Sequence, residues 1–220
     1  MKAALICFFS FFALGSFAQE VKLKTGDLLF QDLDCGSLCD AIEKVTDGPD
    51  GINFSHVGIV FFQNNQPMVI EALNGVAIVD LATFLNRVKD ENGKPKVAVG
   101  RIKKEFAAKQ GLNYKMALQK AHEFLGAEYD DGYELNNNKF YCSELVYETY
   151  INGSGNPIFS TAPMTFVDPE TKQTFPAWEE YFENLGIPIP EGKPGLNPGG
   201  MSKAPFLEII YEYGNISKKL

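Results

Sequence analysis

Cysteine and histidine are scarce in this chain, and that scarcity narrows its chemistry. The 220 residues contain four cysteines and two histidines, His56 and His122, with no Cys-x-x-Cys and no closely spaced histidine pair. A zinc centre could be assembled only from Cys35, Cys39, His56 and His122, which lack the ligand spacing that structural zinc sites use. Basic residues are outnumbered, 20 Lys and Arg against 28 Asp and Glu, for a net charge of −8. That balance argues against nucleic acid or anionic lipid headgroups as electrostatic partners. A phosphate-binding glycine motif, internal repeats and low-complexity tracts are missing. Beyond the first segment no run is long and apolar enough to span a bilayer.

The first segment itself reads as an address. Lys2 gives a short positive start, Ala3 to Leu14 is apolar except for Ser10, and Gly15-Ser16-Phe17-Ala18 presents small residues where a signal peptidase cuts. Cleavage after Ala18 leaves residues 19–220, a length that forms one domain, exported to the periplasm or beyond it without a membrane anchor. Loss of Lys2 makes the net charge −9. Three cysteines remain. In an oxidising compartment Cys35 and Cys39 are candidates to pair, although a four-residue helical spacing lies near the edge of disulfide geometry, and two reduced core cysteines would read the same way. Either way Cys142 is the odd thiol.

Cys142 opens an apolar, helix-like run, Tyr141-Cys142-Ser143-Glu144-Leu145-Val146, directly after the polar segment Leu135 to Lys139. A thiol at a helix start is placed to become a nucleophile. An isolated cysteine more often only packs, so the chain has to supply a base. His56-Val57-Gly58-Ile59-Val60-Phe61-Phe62 reads as a central strand, Gln63 to Gln66 as a turn and Pro67 to Leu73 as the returning strand. If Gln63 pairs with Gln66, Glu71 lies opposite Gly58 and diagonal to His56. A hairpin tighter by two residues puts Glu71 directly opposite His56. Both registers bring the two side chains to one face, whereas a slip of one residue separates them. Gly58 leaves room for the carboxylate beside the ring.

The remaining elements follow from the same patterns. Leu28-Leu29-Phe30 is a buried strand, and Asp32 or Asp34 caps a helix reaching Val45, with Leu38, Ile42 and Val45 on one face. A third strand over Val76 to Leu81, a short helix near Thr83 to Val88 and a strand over Lys96 to Ile102 come next. A helix from Asn113 to Leu125 stops at Gly126 and buries Ala117, Ala121, Phe124 and Leu125, leaving His122 on its flank. Pro176 to Leu185 is a helix with Trp178, Tyr181, Phe182 and Leu185 inward. Ile187 to Gly200 is a surface loop near a groove, and Phe206 to Tyr213 a last strand.

Gly26-Asp27-Leu28-Leu29-Phe30, Ser55-His56-Val57-Gly58-Ile59-Val60, Val69-Ile70-Glu71-Ala72 and Tyr141-Cys142-Ser143-Glu144-Leu145-Val146, in that order, resemble the YiiX-like branch of the NlpC-type, papain-fold cysteine hydrolases. The resemblance spans Thr25 to about Ile151. It implies an α+β, circularly permuted papain-like domain, in which an antiparallel sheet packs against a helix carrying the nucleophile and the histidine and acidic residue precede the cysteine. It implies catalytic roles for Cys142, His56 and Glu71, and hydrolysis of amide bonds through an acyl-enzyme, with cell-wall peptides the usual substrates of the wider group. Acyl lipids, as substrates of a transferase or hydrolase, are the second reading, and a non-catalytic binding domain the third. The backbone N–H of Cys142 would hold the oxyanion, with Tyr129 or Tyr141 as the second donor. This chemistry needs no cofactor or metal.

Overall fold

The structure is a computed structural model and describes residues 21–46 and 48–218. The leader expected over Met1 to Ala18 lies outside the described residues. The short apolar runs form β1 (Leu28–Gln31), β2 (His56–Gln63), β3 (Gln66–Ala72), β4 (Val76–Asp80) and β5 (Val97–Ile102). Two-residue strands β6 (Ala162–Pro163) and β7 (Pro194–Gly195) pair with each other, and β8 (Leu207–Glu212) is the last. All but β6 and β7 join one sheet in the order β4-β3-β2-β1-β5-β8, antiparallel at every contact. Around it run α1 (Ser37–Val45), α2 (Leu81–Leu85), α3 (Lys104–Gln110), α4 (Tyr114–Glu123), α5 (Cys142–Thr149), α6 (Pro176–Leu185) and α7 (Pro198–Ser202).

The β2–β3 turn decides the register on which the site depends. Asn64 and Asn65 both take the left-handed conformation, with φ of 51° and 61°. That geometry suits a two-residue hairpin, and asparagine tolerates it better than most residues. Gln63 therefore pairs with Gln66, and Glu71 falls opposite Gly58, the first of the two registers anticipated. A Cβ on Gly58 would meet Val69 Cγ1 at 2.5 Å and Phe84 Cε2 at 3.0 Å, with Glu71 Cβ at 3.5 Å. The space at Gly58 thus serves the packing of α2 more than the carboxylate.

The two faces of the sheet have different work. On one, Leu28, Phe30, Val57 and Ile59 pack against Cys142, Val146 and Tyr150 from α5 and the residue after it. On the other, Leu29, Val60 and Val69 enclose Phe84 of α2. His56, Gly58 and Glu71 alternate with the first set and belong to the second face.

Several expectations are corrected. α1 starts at Ser37 rather than at an Asp32 or Asp34 cap, because a disulfide ties Cys35 to Cys39 across its first turn. Asp32 is buried instead, accepting from Lys96 Nζ at 2.9 Å and from the N–H of Ser217 at 3.0 Å. Leu38, Ile42 and Val45 share one half-buried face of α1: Leu38 and Ile42 pack against the cluster of Ala41, Phe166, Trp178 and Phe182, and the face also lines the cavities beside Cys142 and His56, while Cys39, Ala41 and Glu43 are more deeply buried. Leu125 and Leu185, expected inside, are exposed, since each sits where the chain leaves its helix at a left-handed glycine, Gly126 or Gly186. α2 starts and ends earlier than anticipated, at Leu81 and Leu85, because Asp80 caps it by accepting from the N–H of Thr83 at 2.8 Å. α3 and α7 were not anticipated.

Gly58→Ala is expected to destabilise the protein by about 1–3 kcal/mol, the usual cost of overpacking, because Val69 and Phe84 cannot retreat from the added methyl. A urea midpoint unchanged from wild type would contradict this.

Candidate active site

His56 is the first residue of β2, so its ring stands at the end of the sheet and not in its middle. There it meets the N-terminus of α5 although α5 packs on the opposite face. Both His56 and Cys142 are buried, at 2% and 5% exposure. Nε2 of His56 lies 2.7 Å from Oε2 of Glu71, which leaves Nδ1 for the Cys142 thiol, within hydrogen-bonding reach of the ring. The structure therefore brings together Cys142, His56 and Glu71, the three residues singled out in the sequence.

Arg87 is a fourth member that the sequence reading missed. Its Nη1 donates to Oε2 of Glu71 at 2.6 Å and its Nη2 donates to Oε1, a bidentate fork on a buried carboxylate. The guanidinium also lies over the Phe84 ring, 5.1 Å from its centroid, and Phe84 in turn stacks on His56 at 5.8 Å. One signal was available. The chain has two arginines among its 20 basic residues, and the other, Arg101, makes the same kind of fork to buried Asp27 with both distances 2.7 Å. Lysine cannot replace that planar geometry.

These contacts set the charge of the ring. Burial alone would pull the His56 pKa down, but hydrogen bonds with Cys142 and Glu71, and then their charges, outweigh it and lift the value to about 9. Glu71 is opposed by burial yet held below the usual carboxylate range by its hydrogen bonds to His56 and Arg87. The ring and its orienting carboxylate thus form an ion pair around neutral pH.

The helix that begins at Cys142 is fixed from both sides. Tyr141, its N-cap residue, accepts at its hydroxyl from the N–H of Leu196 at 3.3 Å, and Ser143 Oγ donates to Leu196 O at 3.1 Å. Glu144 occupies the third helical position and accepts from the backbone N–H of Tyr141 and Asn136, in the manner of a capping box. Burial, helped by Asp130, outweighs those two bonds and pushes its pKa up to about 8. Tyr129 and Tyr133 stand beside the thiol, and both hydroxyls are pushed well above their ordinary value, chiefly by burial. Tyr133 is hydrogen-bonded to Tyr129, and Tyr181 donates to Asp131 at 3.0 Å. His122 is exposed, edge-on to Phe61 and bonded to Leu118 O, and it is on the flank as expected. Cys35 and Cys39 are joined to each other, with Cα atoms 5.2 Å apart, which removes both from any ligand set.

Two spaces flank the site. A wide cleft of ≈ 670 Å³ is lined by His56, Ser55, Asn74, Asp131 and Lys139 among others. A smaller cavity of ≈ 130 Å³ is lined by Cys142 and Ser143 together with Ile42, Met164, Phe166 and Trp178.

Residues 22–211 match the family of permuted papain-like amidase enzymes called Peptidase_C92, which includes YaeF and YiiX. The chain belongs to this family. Its similarity to Uncharacterized protein YiiX of Escherichia coli strain K12 is 27% identity over 187 residues, covering 85% of each protein. A crystal structure of the protein yiiX from Escherichia coli O157:H7, described as a metalloprotein, superposes with a TM-score of 0.70 at 25% identity, over 87% of this chain and 98% of that one. The α+β, permuted papain-like architecture and a cysteine peptidase or amidase type of hydrolase follow from the family.

Two expectations come from these contacts. In an NMR titration His56, one of two histidines, is expected to lose its proton near pH 9. Its midpoint should drop in Glu71→Gln and in Cys142→Ala, each of which removes an interaction that raises it; an unmoved midpoint would contradict the geometry. Glu144, protonated in the folded protein up to about pH 8, contributes stability at low pH that is lost as pH rises through that value. Glu144→Gln is therefore expected to gain stability relative to wild type between about pH 5 and pH 9, whereas Glu144→Ala should lose about 1 kcal/mol of helix capping.

Proposed function

We propose that the protein hydrolyses amide bonds through a thioester acyl-enzyme, with Cys142 as nucleophile, His56 as general acid and base, and Glu71 as the group that orients the ring. The observation that carries this reading is the 2.7 Å contact between Glu71 and Nε2 of His56, which directs the other nitrogen to the thiol. The Cys142 sulfur, having given its proton to His56, attacks the carbonyl carbon and a C–S bond forms. As the C–N bond breaks, the imidazolium gives its proton to the leaving amine. Water, deprotonated by His56, then attacks the thioester, and the thiol leaves with the acid product. The oxyanion is held by the N–H of Cys142 at the start of α5 and by the Tyr129 hydroxyl. Tyr129 is preferred to Tyr141 because it lines both spaces beside the thiol, whereas Tyr141 lines only the smaller one.

The substrates on this reading are peptide amides, cell-wall peptides among them, met outside the cytoplasm after removal of residues 1–18. A second reading, transfer or hydrolysis of acyl groups from lipids, is favoured by the apolar wall that Met164, Phe166 and Trp178 raise beside the thiol. The relative from Escherichia coli O157:H7 is described as a metalloprotein. The donors here do not fit a resident metal: among the described residues no three His, Cys, Asp or Glu side chains are placed so that they could hold a metal ion. Both oxygens of Glu71 are already taken by Arg87 and His56.

Muropeptides and acyl lipids offered in parallel to wild type and Cys142→Ala test the reading. Release of a new amine from muropeptides by wild type alone is expected, and cleavage confined to lipids would overturn the choice of substrate. Because the imidazolium must protonate the leaving amine, turnover should fall as pH rises through about 9, and earlier in Glu71→Gln. Tyr129→Phe should lower kcat by about 10–1,000-fold.

A further inference from the structure

The two spaces beside the thiol differ in ways that sort the halves of a substrate. His56 must deliver its proton to the leaving amine, so the amine side belongs in the wide cleft that His56 lines. The acyl side then falls on the Cys142 side, in the ≈ 130 Å³ cavity, whose lining includes no charged side chain. Its far wall is stiff: the Phe166 and Trp178 rings meet edge to face at 5.0 Å, both buried, and Phe182 packs behind them at 5.4 Å from Phe166. A dry apolar cavity of roughly 150 Å³ accommodates a benzene ring, so this one has room for a group of about that size.

A second, larger space begins just behind it. A cavity of ≈ 340 Å³, with Phe159, Met201 and Phe206 in its lining, shares Pro163, Met164, Leu196 and Asn197 with the first. Met164 stands in that partition, and its side chain fills the space a Cβ on Gly195 would need. Its backbone is fixed by bonds with Gly192 and Lys193, so the partition is a matter of its side chain.

We propose that the cavity at Cys142 is the acyl-side pocket, that it selects amides of compact, uncharged, apolar acids, and that Met164 sets its depth. This rests on the thiol-hydrolase reading and narrows it. A short acyl chain fills the pocket against its apolar wall, a charged one loses its hydration where the polar lining, Thr46, Ser55, Thr165 and Asn197 among it, offers no opposite charge, and a long chain meets Met164. Removing the Met164 side chain joins the two cavities.

The test is acylation of Cys142 by p-nitrophenyl esters of straight-chain acids from two to twelve carbons, plus the succinyl ester, followed by intact mass and p-nitrophenol release. In that step the C–S bond forms, the C–O bond breaks and p-nitrophenolate leaves. In wild type the rate should rise roughly fourfold per methylene, peak near about six carbons and then fall, with succinyl slow. Met164→Ala should move the peak to eight carbons or more, and Met164→Leu, of similar volume, should keep the wild-type profile. A flat profile, a steady rise to twelve carbons in wild type, or a Met164→Ala profile identical to wild type would overturn the pocket assignment while leaving the nucleophile intact. Failure of every ester to label wild type above Cys142→Ala would instead overturn the hydrolase reading, and the pocket with it.

Discussion

One buried carboxylate holds the site together. Glu71, 2% exposed, takes the Arg87 fork on both oxygens and His56 on one. A lone carboxylate at that depth would cost several kcal/mol and would take up a proton instead. The arginine keeps it ionised, and an ionised Glu71 keeps the ring charged and aimed. Arg87 is itself fixed over Phe84, which packs into the space left by Gly58 and stacks on the ring. Turn, glycine, α2 and arginine therefore act as one unit, and removing one partner of such a buried pair costs about 3–5 kcal/mol.

The thiol is held by different means. Its helix is short, 8 residues, and cannot be stable by propensity alone. Packing of Val146 and Tyr150 on the sheet, the Glu144 cap and the two bonds to Leu196 fix its start. The C-terminal third of the chain thus reaches back to the Cys142 helix, and through Met164, Phe166 and Trp178 it also walls the cavity beside the thiol.

What could be read from the sequence was what local rules control. The Asn64-Asn65 turn and strand alternation put His56 and Glu71 on one face, and the observed register is one of the two that the sequence allowed. Cys142 was legible as a thiol at a helix start. Arg87 was not, because it follows the end of α2 and reaches Glu71 only after that helix folds over the sheet. The apolar stripe of α1 was legible, but its second use was not: Leu38 and Ile42 pack against the cluster of Phe166, Trp178 and Phe182 and at the same time line the cleft beside His56, and spacing cannot tell a core from a cavity wall. α7 hid in a segment rich in proline and glycine, where Asn197 caps the helix by accepting from Gly200 at 2.6 Å.

The order of the site along the chain also has a consequence in time. His56 and Glu71 are 15 residues apart on one hairpin, a contact that closes early and locally. The thiol lies some eighty residues downstream of the histidine, and the segment that clamps it lies fifty farther on. A chain emerging from the N-terminus therefore brings the ring and carboxylate together first and places the thiol beside them late. On the proposed mechanism a thiol without its imidazole partner is not yet a nucleophile, so a growing chain is guarded against acylating itself. In refolding, its reactivity should trail the formation of the sheet, and a thiol that reacts before the sheet forms would contradict this order.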